Sequence, residues 1–254
     1  MRKFRRIFLY WLKKLLMPTN MKFKTAISQT KNNKHYIWGK DILELMDRHS
    51  FTEVIFLFLR GSLPKKNEQA LLEAVLIAAT ENGIEAPSLF VPRVVAASGN
   101  EFHAALAAGM LSIGEKHGGA AGKAAELFSC GKSAEQIVKE NKIIPGFGHK
   151  MYKDEDPRAT LLHQKSKDLG FSGKYFEIAK EIEKILAEKK GRELPLNIDG
   201  AMACCMLELG LDAKLGKALF LIGRIVGMSA HILEEYKQGN SYYRLGEDEI
   251  EYQE

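Results

Sequence analysis

The chain has 254 residues, 46% hydrophobic and 27% charged, which excludes a disordered polymer and allows one or two domains with a real core. Its net charge of +5 is concentrated at one end. Arg2, Lys3, Arg5, Arg6, Lys13 and Lys14 are matched by no acid within residues 1–20, which leaves the remainder at −1 and gives no ground for a nucleic-acid partner.

Residues 1–20 also carry Phe4, Ile7, Phe8, Trp11 and Leu15 at helical spacing, largely opposite the cations. The pattern fits a basic membrane-surface helix, a transit peptide in a eukaryotic source, or an extension read from an upstream start. The expectation carried forward is an artefact or a dispensable extension. The apolar run 7–12 is too short to cross a bilayer and short for a signal-peptide core.

From about residue 36 helical periodicity dominates, and no run alternates for long enough to be a convincing strand. Ser50-Phe51-Thr52-Glu53 is a capping box opening an apolar helix over 54–59, closed by Gly61. Pro64 starts the next helix, over 66–80. A Gly/Pro link over 81–87 precedes helices over 88–98 and 101–116, the second rich in Ala and Gly and suited to close packing. His103 within it reads as packing. His117-Gly118-Gly119-Ala120 then leads to a helix ending near Phe128, and Ser133-Ala134-Glu135-Gln136 is a second capping box.

Further on come a helix over 158–168, a charged helix over 175–190, and two apolar segments, 196–207 and 215–233. The tail from Gly239 is polar and acidic. Cys130, Cys204 and Cys205 form neither a disulfide framework nor a C-x-x-C pair, so a reducing cytoplasm is the expected setting. No ligand cluster has metal spacing, and no metal is expected. The predicted fold class is all-α. Residues 1–20 form the extension, 21–142 the larger helical domain, 143–210 a small helical cap, and 211–254 the return to the large domain with the tail.

One stretch organises the rest: Pro145-Gly146-Phe147-Gly148-His149-Lys150-Met151-Tyr152-Lys153-Asp154-Glu155-Asp156-Pro157-Arg158-Ala159. Its glycines permit tight turns and close approach of a ligand to the main chain. Asp156-Pro157 reads as an N-cap and first helical position. Arg158 falls in the first turn, where a cation is disfavoured unless an anion joins it. Lys139, Lys142 and Lys153 border the loop, as solvated lysines or as phosphate ligands.

Three further residues stand out on local grounds. Asp199 is the only charge between Glu193 and Glu208. It reads either as a helix N-cap or as a buried acid with a raised pKa, able to exchange a proton with carbon. His117, near a helix start, is either a capping residue or a neutral N–H donor. Arg224 is the sole fixed charge from Ala218 to Leu233; it needs an anion, from a protein acid or from a ligand. His231 lies two turns further along the same face and is read as structural.

The loop string closely resembles the signature P-G-[FY]-G-H followed by D-P-R-A of the citrate synthase superfamily, which includes citryl-CoA lyases and the lyase module of ATP-citrate lyase. The likeness runs over about residues 35–245. It takes in H-G-G-A at His117, N-[VI]-D at Asp199 and R-x-x-G-x-x-[AG]-H at Arg224. The early text Trp38-Gly39-Lys40 departs from the family's R-G-Y, and Glu81-Asn82-Gly83 stands where lyase relatives read D-H-G. Asn82 still donates a hydrogen bond but carries no titrating proton. A long piece present in full-length citrate synthases is missing between Ala79 and Ser88, as it is in the citryl-CoA lyases.

The resemblance implies a multi-helical citrate synthase-like fold and a catalytic set of His117, His149 and Asp199. It implies substrate-carboxylate contacts from Arg158, Arg224 and Arg244, with Asn82 beside them, Arg244 reaching a neighbouring subunit's site. It puts coenzyme A against Pro145, Gly146, Phe147, Gly148 and Lys153, as a thioester substrate rather than a permanently bound cofactor. The expected activity is citryl-CoA cleavage to acetyl-CoA and oxaloacetate. The alternatives are a compact citrate synthase or related acyl-CoA condensing enzyme, and a non-catalytic CoA-ester-binding subunit of a citrate–CoA ligase or lyase system. A homo-oligomer, at least a dimer, and a citrate–CoA ligase partner follow as expectations.

Overall fold

The computed structural model describes residues 22–253; the expectation for residues 1–20 lies outside them. The described chain falls into two units, meeting in sequence at Ser62 and Leu63.

The first unit carries a feature that periodicity did not predict. Strands β1 (Ser28–Lys31), β2 (Lys34–Ile37) and β3 (Lys40–Asp41) form a small antiparallel sheet in that order. Asn32 and Asn33 both have positive φ, 51° and 57°, the geometry of the tight turn that joins twisted strands. Trp38 and Gly39 repeat it, at 48° and 77°. β1 is exposed throughout, so no apolar alternation marks it; the Asn-Asn pair was the available signal. Two helices follow. Asp41 caps α1 (Ile42–Arg48) by accepting from the Leu43 amide at 3.0 Å. In α2 (Phe51–Arg60) the Ser50–Glu53 capping box forms as predicted, and Gly61 closes the helix at φ 78°.

The second unit is wholly helical: α3 (Lys66–Ala79), α4 (Pro87–Ala97), α5 (Phe102–Leu111), α6 (Ala120–Phe128), α7 (Ala134–Glu140), α8 (Pro157–Asp168), α9 (Lys174–Lys190), α10 (Ile198–Glu208) and α11 (Gly216–Gln238). The all-α class therefore holds. α5 stops at Leu111, five residues short of the predicted end, and His103 on it is exposed rather than packed. α11 continues five residues past Leu233 to the left-handed Gly239.

Two helices make the core. In α10, Ile198 and every residue from Gly200 to Leu207 are buried; a helix apolar all round belongs in the middle, and α10 packs against α6, α8 and α9. α11 packs against α3, α4, α5 and α6. It is long and apolar enough to cross a membrane by length and composition, but it lies among these helices with Leu219, Met228 and Ile232 at its core.

α3 and α11 touch through glycine. A Cβ at Gly223 would lie 2.6 Å from the Ala79 Cβ and 2.7 Å from the Leu76 oxygen. Only hydrogen at that position lets the C-terminal end of α3 sit this close, and that contact brings Arg224 to the chain leaving α3.

Candidate active site

The loop 145–156 is stitched to the chain entering α10. The Gly148 amide donates to the Pro195 oxygen at 2.7 Å, and the Asn197 amide to the Gly146 oxygen at 2.9 Å. The Asn197 side chain donates to the Gly148 oxygen at 2.8 Å. Gly146, at φ 94°, lies so close to α10 that an added Cβ would sit 2.8 Å from the Gly200 Cα. This seam sets His149 beside Asp199. Gly200→Ala would put a methyl 2.5 Å from the Gly146 oxygen. It should cost about 1–3 kcal/mol and lower turnover by displacing His149; an unchanged melting temperature with unchanged kcat would contradict the seam.

Asp199 is not the N-cap. Asn197 takes that role, accepting from the Gly200 amide at 3.2 Å. The Asp199 carboxyl, in the first turn, accepts no hydrogen bond from the described residues. Burial pushes its pKa up, against the charges of Arg158 and Arg224.

Arg158 meets its anion within the protein, which sequence reasoning missed. Asp156, 1% exposed, caps α8 through the Arg158 amide at 3.1 Å. It takes the guanidinium on both oxygens, from Nε at 3.0 Å and Nη2 at 2.8 Å. Its second oxygen also accepts from the Ile198 amide at 3.0 Å, tying α8 to α10. Burial opposes this charge, yet the Arg158 contacts hold the Asp156 carboxyl below the usual range. The rest of the Arg158 guanidinium reaches the crevice: Nη1 donates to Asn82 Oδ1 at 3.0 Å, and Nη2 lies 3.3 Å from His149 Nε2. His149 Nδ1 accepts from the Met151 and Tyr152 amides at 3.1 and 3.3 Å. Nε2 is thus the nitrogen left for a ligand.

A second cluster faces Asp199 from α4 and α11. Arg224, 2% exposed, donates from Nε to the Ala79 oxygen at 2.8 Å and from Nη1 to Ser88 Oγ at 3.1 Å. Its guanidinium lies 4.6 Å from the centre of the Phe220 ring. No acid pairs with it among the described residues, so Nη2 remains free for an anion. Ser88 Oγ lies 2.8 Å from His117 Nε2, and the Ser88 amide donates to the same nitrogen at 3.4 Å. With Arg224 donating to Ser88, the hydroxyl proton goes to His117 Nε2, which leaves Nδ1–H as the imidazole donor. Burial, then the charge of Arg224, lowers the His117 pKa and keeps that ring neutral. Ser88 escaped sequence reasoning; its burial between His117 in a loop and Arg224 on α11 was invisible in a lone serine.

Two hydrogen-bonded clusters result, Asn82–Arg158–His149 and His117–Ser88–Arg224, and the Asp199 carboxyl feels the charge of Arg158 from one and Arg224 from the other. Arg244 stands apart, exposed, with no hydrogen bond or ion pair among the described residues. Gly148 and Lys153 line a cleft of about 400 Å³ with His149, Lys150, Tyr152 and Arg192. Pro145, Gly146 and Phe147 do not line it; Gly146 and Phe147 are used in the seam, Phe147 pairing with Leu196 and packing edge-on against Phe128. Among the described residues no cluster of metal-binding side chains occurs.

Fold and crevice define a helical protein that carries a buried carboxyl, two imidazoles and a buried guanidinium with no acid partner among the described residues. The chain belongs to the citrate synthase family: the family model "Citrate synthase, C-terminal domain" matches residues 66–245. Citryl-CoA lyase from Hydrogenobacter thermophilus superposes with a TM-score of 0.87 at 38% identity, covering 92% of this chain and 95% of that one. ATP citrate lyase from Methanothrix soehngenii, solved with citrate and coenzyme A, superposes at 0.84 with 25% identity over 96% of this chain and 44% of its own. Citrate synthase 2 of Bacillus subtilis is 32% identical over 78% of this chain. The chain spans 32% of ATP-citrate synthase subunit 1 of Sordaria macrospora and 55% of the Bacillus protein.

Proposed function

We propose that the chain is a citryl-CoA lyase, cleaving citryl-CoA to acetyl-CoA and oxaloacetate. The observation that carries this reading is the Asp199 carboxyl in the first turn of α10, its pKa raised by burial against the charges of Arg158 and Arg224. The Asp199 carboxylate takes the hydroxyl proton as the carbon–carbon bond breaks. His149, whose Nδ1 accepts from two backbone amides and whose ring proton therefore sits on Nε2, donates to the emerging ketone oxygen. The bonding pair passes to the thioester carbonyl, and His117 Nδ1–H donates to the enolate oxygen, where a preorganised donor is most effective. Asp199 then protonates the terminal carbon. Arg224 holds a carboxylate of the oxaloacetate half through its free Nη2 edge. The basic rim of Lys150, Lys153 and Arg192 suits the phosphates of coenzyme A. Arg244, exposed and without a partner among the described residues, serves the crevice of a second copy in a homo-oligomer.

The same groups would run condensation, and the likeness to a citrate synthase favours that direction as the second reading. Purified protein given citryl-CoA should release acetyl-CoA and oxaloacetate. Condensation of acetyl-CoA with oxaloacetate and no cleavage would make it a synthase. Inactivity in both assays would leave a non-catalytic CoA-ester-binding subunit.

A further inference from the structure

The turn Glu81–Gly83, which presents Asn82 to Arg158, is held by a device outside the reacting set. Glu81 Oε1 accepts from the Asn82 amide at 3.0 Å and from the Gly83 amide at 2.8 Å. Its other oxygen, Oε2, accepts from His231 Nε2 at 3.2 Å. His231 stands on α11, one face with Arg224 and Gly227, at spacings of three and four residues. Gly227 is required there, since a Cβ would overlap the Thr80 oxygen and lie 3.0 Å from Glu81 Oε2. A single carboxylate thus joins α11 to two successive backbone amides. Those amides carry the side chain whose oxygen takes Arg158 Nη1, and Arg158 in turn touches His149 and Asp156.

Glu81 is exposed, and His231 is largely covered. A surface carboxylate that caps a turn and merely stabilises it would have no need of a partner on a different helix. We propose that Glu81, braced by His231, is a positioning residue: it sets the Asn82 turn, and through Asn82 the place of Arg158 beside His149. The inference rests on the reading of this crevice as the site of the oxaloacetate half. Asn82, whose Oδ1 is occupied by Arg158, then turns its Nδ2 donors to the ligand. Because those donors are uncharged, the turn has to be held in place for them to select an oxygen.

Three variants and two readouts test this. In Glu81→Ala and His231→Leu, hydrogen exchange at the Asn82 and Gly83 amides should speed up by about tenfold or more, with the melting temperature little changed. The KM or Kd for oxaloacetate should rise by about tenfold, while kcat falls less and the affinity for coenzyme A is kept. His231→Gln, which retains an N–H donor, should restore both readouts toward the parent. Unchanged exchange at Asn82 and Gly83 in Glu81→Ala, or a Kd for oxaloacetate equal to the parent's, would overturn the proposal. Parent protein that binds no oxaloacetate, with exchange responding as described, would instead overturn the functional reading and leave the strut intact.

Discussion

Asp199→Asn should lose turnover by a factor of about 10²–10⁴, the usual contribution of a positioned acid or base, and should at the same time be more stable than the parent. The first effect follows from losing the proton for the terminal carbon while the shape of the crevice is kept. The second follows from the pKa. A carboxyl whose folded-state value is raised favours folding while protonated, and that stability is lost as pH climbs through the folded value. Above the folded value the parent therefore bears the cost of a buried charge that asparagine does not carry. The gain should show as a raised melting temperature at pH above the folded value. It should shrink as pH falls toward about 4, where the unfolded carboxyl is also protonated. Thermal melts from pH 4 to 8 beside kcat would check both; an asparagine variant with near-normal kcat would remove the mechanism.

The second large effect concerns Arg224. Its Nε and Nη1 hold Ala79 and Ser88, but among the described residues no carboxylate forms an ion pair with it; burial lowers its pKa against the charges of Glu81 and Asp199. A guanidinium desolvated in this way gains most when an anion arrives. Arg224→Leu should raise KM for the oxaloacetate half by about 30–150-fold, the equivalent of about 2–3 kcal/mol for a charge-assisted pair. kcat should also fall, because Ser88 would no longer be polarised toward His117. Steady-state kinetics with oxaloacetate varied would show it. An unchanged KM would make Arg224 a structural residue.

Much of this was legible in the sequence because caps and glycines are local. Asp156-Pro157 starts α8, Ser50 and Ser133 open capping boxes, and Gly61 ends α2, all as short-range chemistry dictates. What escaped is long-range. The hairpin over 28–37 has no apolar alternation to betray it. Asp156 looked like an N-cap and nothing more; only the fold shows it holding Arg158 and the Ile198 amide together. Ser88 gained its place because α4 packs against α11, the helix that Gly223 also brings against Ala79 of α3. Asp199 was read as cap or acid on equal local terms, and Asn197 removes the first reading by taking the cap.

Cleavage of citryl-CoA in deuterium oxide, with the acetyl methyl group read by mass spectrometry or proton NMR, bears most directly on a carboxyl that delivers solvent-derived hydrogen to the enolate carbon. The parent should place one deuterium in each acetyl-CoA formed, and Asp199→Asn should form almost none. Equal rates and equal labelling in the two proteins would show that hydrogen reaches the carbon by another route.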